Sequence, residues 1–80
     1  MKYTILTFAA AADIVGADRC ELDLPEQATV ADLRTALLAA YPAFGELAGF
    51  AVARNEEYAA DDEMIGPGDV LVVIPPVSGG

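Results

Sequence analysis

The sequence predicts an α+β domain: a sheet of four to five strands with one main helix packed on one face. Three observations predict it. Arg19–Leu24 alternates, with Cys20, Leu22 and Leu24 on one side and Arg19, Glu21 and Asp23 on the other, the period of a half-buried strand. Val30, Leu33, Leu37 and Tyr41 recur at helical spacing, with Leu38 widening the stripe. Val70–Ile74 is apolar on both faces, as expected of a strand in the middle of a sheet.

The elements follow in order. Lys2–Ala9 is rich in Thr, Ile, Leu, Phe and Tyr, which suit a pleated surface. Ala10–Val15 predicts a short helical turn closed by Gly16 in the left-handed cap conformation. Arg19–Leu24 is close enough to the first strand to pair with it as an antiparallel hairpin, and Pro25 stops it. Thr29 stands at a helix N-cap with Asp32 three residues on, a variant of the capping box. Asp32 also suits the positive end of the helix dipole. Pro42 ends the helix by disfavouring the helical region at Tyr41. Residues 43–49 read as an irregular connection with a short turn around Phe44–Leu47. Phe50–Arg54 is a third strand, and Asn55-Glu56 turns into a short strand near Glu57–Ala59. In Gly66-Pro67-Gly68-Asp69, Pro presets one dihedral and Gly supplies positive φ, so the segment is a turn before the last strand.

Eighty residues make one small domain. The chain is 55% hydrophobic, but sixteen of those residues are Ala. Leu, Ile, Val and Phe total 22, above the level of about 20% of the chain below which disorder is expected. There is no His or Trp, one Cys (Cys20), one Lys (Lys2) and one Ser (Ser78). A His-dependent nucleophile system, a zinc site and an internal disulfide are therefore all excluded. If the chain takes part in chemistry, something other than a side chain must react. Cys20 shares the phase of Leu22 and Leu24 and reads as a core residue.

The formal net charge is −9. Lys2, Arg19, Arg34 and Arg54 are scattered, so neither nucleic acid nor an anionic membrane is an expected partner. A basic protein partner is favoured, and the charge also aids solubility. The apolar stretch after Lys2 is interrupted by Thr4 and Thr7, so it reads as a strand and not as a signal peptide. With one thiol and no long apolar run, the expected compartment is the cytoplasm. Asp61-Asp62-Glu63 lacks spaced calcium ligands and reads as a solvated loop. The turn at residues 66–69 lacks the Lys-Ser/Thr of a phosphate loop.

The chain closes with Pro75-Pro76-Val77-Ser78-Gly79-Gly80. Two prolines end strand pairing and favour an extended backbone. Two glycines present a terminal carboxylate with little bulk to a narrow slot. The expected organisation is a folded domain over 1–75 and a tail over 76–80. One helix covers one sheet face only, so loops or another protein must cover the second face of the last strand.

The chain resembles the small sulfur-carrier subunit of molybdopterin synthase, within the ubiquitin-like (β-grasp) sulfur-carrier superfamily. The resemblance is carried by Ile74-Pro75-Pro76-Val77-Ser78-Gly79-Gly80 and by Gly68-Asp69-Val70-Leu71-Val72-Val73. The opening strand with Phe8 and Ala9, Ile14-Val15-Gly16, and Thr29-Val30-Ala31-Asp32-Leu33 add to it. It implies a β-grasp fold with a mixed sheet. It also implies that Gly80 is adenylated by an activating enzyme using ATP and Mg, then converted to a thiocarboxylate that donates sulfur to precursor Z. Pro75, Pro76, Val77, Ser78 and Gly79 would insert into the large synthase subunit, with Phe8, Leu71 and Val73 at the interface. A heterotetramer with that subunit, and sulfur supplied through a cysteine desulfurase or rhodanese-like protein, are expected. The chain itself would bind no cofactor or metal and would not be an enzyme alone. A carrier for thiamine or cysteine synthesis, a ubiquitin-like modifier, and an inert β-grasp interaction module are the alternatives.

Overall fold

The computed structural model describes residues 1–47 and 49–76; the tail positions Val77, Ser78, Gly79 and Gly80 lie outside the described residues. The strands are β1 (Lys2–Leu6), β2 (Arg19–Asp23), β3 (Ala51–Arg54), β4 (Glu57–Tyr58) and β5 (Leu71–Ile74). The helices are α1 (Ala10–Val15) and α2 (Val30–Ala40), and a 3₁₀ turn spans Pro42–Glu46. The sheet order is β2-β1-β5-β3-β4. β1 pairs β5 in parallel, and the other pairs are antiparallel. This is the mixed β-grasp sheet that was expected, with β5 between β1 and β3.

The local signals for α2 act as predicted. The Asp32 N–H donates to Thr29 Oγ1 at 3.3 Å, and the Thr29 N–H donates to Asp32 Oδ2 at 2.9 Å. Both halves of the capping box are present, which satisfies two otherwise orphaned donors. The helix buries Val30, Leu33 and Leu37 against Ile5, Val52, Leu71 and Val73 in one core. Full burial of each such aliphatic side chain contributes roughly 1.5–3 kcal/mol. Cys20 belongs to that core. Leu38 does not: it is exposed at the edge of the predicted stripe.

Most strand ends fall within one residue of expectation, and two features differ more. β1 ends at Leu6 instead of running to Ala9, because the chain turns at Ala9, whose φ is 54°. The Thr7 N–H still donates to Asp18 O at 2.9 Å, in register with the β1–β2 pairing, and Thr7 Oγ1 donates to Ala17 O at 2.7 Å. The Phe8 carbonyl then accepts the N–H groups of Ala11 and Ala12, which opens α1. The connection after α2, read as irregular with a turn around Phe44–Leu47, is instead a 3₁₀ turn over Pro42–Glu46 that packs into the core through Phe44, 5.4 Å from the Phe50 ring. Among the described residues, no helix is long and apolar enough to cross a membrane.

Candidate functional site: the open sheet face and the tail exit

Strand alternation decides which side chains of β5 meet α2 and which do not. Leu71 and Val73 are fully buried on the helix side. Neither can therefore offer its side chain to a partner, and their expected place at an interface is corrected. Val70 is exposed, and Val72 and Ile74 are half-buried, on the opposite face. Both sets are apolar, so the sequence of β5 alone left its phase undecided. Phe8, the third expected interface residue, is 49% exposed.

The strand registers extend this face across the sheet. Val72 lies opposite Leu6 on one side and Ala53 on the other. Leu6 lies opposite Arg19, and Ala53 lies opposite Tyr58. One row thus runs Arg19, Leu6, Val72, Ala53, Tyr58 through all five strands. Ala51 lies opposite Ile74 in a second row. Tyr58 is 75% exposed, a large aromatic side chain left in water at the edge of the row. Leu6, Ala51, Ala53 and Tyr58 were not singled out from sequence. Their signal lies in cross-strand register, which a single strand does not carry.

β5 delivers the tail at the margin of this face. Ile74 is its last residue, and Pro75 and exposed Pro76 follow. Because β1 and β5 are parallel, the tail leaves at the Phe8 end of the sheet. Pro75, Pro76, Phe8 and Ala51 are therefore gathered near one end. The remaining tail residues expected to act, 77–80, fall outside the described set.

The start of β5 is pinned at the other end. The Asp69 carboxylate accepts the Gly66 N–H at 2.8 Å and Asn55 Nδ2 at 3.0 Å. It also accepts Arg54 Nη1 at 3.4 Å. These donors, the Gly66 N–H foremost, hold the Asp69 carboxyl below the usual carboxylate range. Arg54 Nη2 reaches Glu63 at 3.3 Å. Burial pushes the Cys20 thiol up, as suits a residue with no reactive role.

Two shallow clefts stand out among the described residues. One, about 270 Å³, lies among Met1–Thr4 and Pro67–Asp69, at the end away from the tail. The other, about 230 Å³, lies between Arg34, Leu38, Phe44 and Phe50 on the helix side. Neither is lined by Phe8, Val72 or Ile74. Among the described residues, no group of His, Cys, Asp and Glu is placed to hold a metal. What the arrangement offers is an open apolar face beside the end of β5.

A ubiquitin-like β-grasp domain with a strand-end tail is thus the class of protein defined by fold and site. Within that class the chain belongs to the ThiS family, which it matches over residues 5–80. It is 34% identical to the molybdopterin synthase sulfur carrier subunit of Chlamydomonas reinhardtii, over 100% of both chains. It is 40% identical to small archaeal modifier protein 1 of Haloferax volcanii, over 91% of this chain and 94% of that protein. A molybdopterin converting factor subunit 1 from Pyrococcus furiosus has a solved structure that superposes with a TM-score of 0.85. It is 33% identical, over 95% of this chain and 98% of that one.

Proposed function

We propose that this chain is the sulfur-carrying small subunit of a molybdopterin synthase, with the Gly80 carboxylate as its reactive group. The observation that carries the reading is the meeting of an open apolar face with the exit of a Pro-Pro-Val-Ser-Gly-Gly tail. Whole-length similarity to a subunit of that name supports it.

The chemistry starts from a poor electrophile. In the proposed sequence, a Gly80 carboxylate oxygen attacks the α-phosphorus of ATP on an activating enzyme, and pyrophosphate leaves. A thiol reductant releases hydrosulfide from the persulfide of a desulfurase or rhodanese-like donor, becoming a disulfide itself, and the hydrosulfide then displaces AMP from the acyl carbon. The thiocarboxylate that results is a soft anionic nucleophile, largely ionised at neutral pH by analogy with low-pKa thiolates. Seated in the large subunit, it transfers sulfur to precursor Z. Val70, Val72, Ile74, Phe8 and Tyr58 dock the domain, while the tail from Pro75 to Gly80 enters the partner's site. A charge of −9 suits a basic docking surface and fast encounter. The assembly is a heterotetramer of two small and two large subunits.

The test is reconstitution. The chain, activated and sulfurated, is mixed with the large subunit and precursor Z, and dithiolene product is measured. Product that depends on Gly80 supports the reading, and its absence with a sulfurated chain sinks it. The second reading, a protein modifier, is favoured by the 40% identity to small archaeal modifier protein 1. Gly80-linked adducts on other proteins, without dithiolene formation, would select it.

A further inference from the structure

The two margins of the sheet differ. The sheet order leaves β2 and β4 as edge strands. β4 is only two residues long, and so short an edge offers little to pair with. β2 has five residues, paired to β1 residue for residue, with no bulge and no proline within it. A regular edge of this kind is a template for another strand.

Antiparallel geometry says which groups β2 offers. The Thr7 N–H donates to Asp18 O and the Leu24 N–H donates to Met1 O, both in register with the β1–β2 pairing. Asp18, Cys20, Leu22 and Leu24 therefore turn their backbone groups toward β1. Arg19, Glu21 and Asp23 turn theirs outward, and among the described residues those groups have no strand beside them. All three residues are exposed. Their side chains share the open sheet face, since Arg19 lies opposite Leu6.

A second copy of the chain is the occupant that the charges fit. Two copies of β2 related by a two-fold axis run antiparallel, and their outward backbone groups meet only when odd-numbered residues face odd-numbered ones. Centred on Cys20, the pairing sets Arg19 opposite Glu21 of the second copy, twice over. Centred on Arg19, it sets Arg19 against Arg19. Centred on Glu21, it sets Arg19 against Asp23 but Glu21 against Glu21 at its middle. Centred on Leu22, it sets Glu21 against Asp23. Opposite charges facing each other across strands support a sheet, and like charges destabilise it. The ion pair of Arg19 with Asp18, at 3.3 Å, is solvent-exposed and weak, so Arg19 is available to a new partner.

We propose that two copies of this chain pair through β2 in the Cys20-centred register, joining their sheets into one of ten strands. This register keeps both open apolar faces on one side and both α2 helices on the other. The inference does not rest on the carrier reading. A five-residue edge buries less than the roughly 1,000 Å² of a stable interface, so the pairing is weak and concentration-dependent. At about 0.15 M salt the repulsion between two chains of charge −9 is screened beyond about 8 Å, while pairs in contact persist.

Sedimentation equilibrium of the full chain at up to about 1 mM measures the association. The wild-type chain is expected to dimerise reversibly. Arg19→Glu or Glu21→Arg alone is expected to weaken the dimer at least about tenfold, and the two together to restore it. Arg19→Glu combined with Asp23→Arg is expected not to restore it. Melting curves confirm that each variant is folded. Amide exchange needs no variant: the Arg19 and Glu21 N–H groups should exchange more slowly in concentrated than in dilute wild-type samples. A chain that stays monomeric at the highest concentration would overturn the proposal. So would a dimer that the Arg19–Glu21 swap fails to restore, or one abolished by Val72→Glu and indifferent to the edge variants.

Discussion

Asn55 and Val70 are joined by a reciprocal pair of hydrogen bonds. The Asn55 N–H donates to Val70 O at 2.9 Å, and the Val70 N–H donates to Asn55 Oδ1 at 2.9 Å. A side-chain amide at a turn thereby continues the ladder of β5 by one residue. Asn55 has φ 54°, a left-handed conformation that Asn tolerates better than most residues. The pair fixes where β5 begins, and so where its last residue hands over to the tail.

Asn55→Ala is expected to lose about 1–2 kcal/mol, because it removes the hydrogen bond to the exposed Val70 N–H and adds cost at positive φ. Asn55→Gly relieves the backbone cost and should lose less. Urea denaturation of both variants checks the order. Equal loss would remove the backbone part of the argument.

Asp69 predicts an acid-sensitive turn. Its carboxyl pKa is lowered in the folded chain. Its contribution to stability is therefore present above the unfolded value of about 3.9 and lost as pH falls through the lower folded value. Wild-type stability should fall with acidification in that range, and Asp69→Asn should flatten that part of the profile. Thermal melts at pH 2–7 would read it, and an unchanged slope in the variant would contradict the assignment.

The two faces of β5 should respond oppositely to substitution. Val72→Glu on the open face should weaken binding to the large subunit at least about tenfold, or about 1.4 kcal/mol. It should leave the melting temperature nearly unchanged. Val73→Ala on the helix side should instead lose about 1–3 kcal/mol of stability, through lost transfer and a cavity. It should bind normally once folded. Calorimetry on both separates docking from folding, and equal affinity of Val72→Glu and wild type would sink the docking face.

The elements legible in sequence were those that local rules govern. Thr29 and Asp32 announced the start of α2 because a capping box is complete within four residues. The alternation of Cys20, Leu22 and Leu24 announced a half-buried strand, and the two-faced hydrophobicity of Val70–Ile74 announced its central place. What stayed hidden depends on partners far along the chain, or on backbone angles that side-chain type does not announce. β1 stops at Leu6 because the chain turns at Ala9, whose φ is 54°. The outward set Val70, Val72 and Ile74 could not be told from Leu71 and Val73, since both are aliphatic and only α2 distinguishes them. Tyr58 gained meaning only through its register with Ala53. The tail is an expectation from two prolines and two terminal glycines, and its last four residues lie outside the described ones.

The tail should also be separable from the fold. Deleting Gly80, or adding a residue after it, should abolish sulfur transfer and leave the melting temperature within about one degree, since the buried core lies within Tyr3–Val73. Normal transfer by an extended, unprocessed chain would contradict a terminal carboxylate as the reactive group.

The central claim is that the chain's own C-terminal carboxylate carries the sulfur, and intact mass tests it most directly. The chain is coexpressed with its activating enzyme and a sulfur source, then weighed whole and after Gly80 deletion. The account predicts a mass gain equal to one oxygen-for-sulfur exchange, mapped to Gly80 and absent from the deleted chain. A wild-type chain that is adenylated but never gains sulfur, or gains it at Cys20, would contradict it.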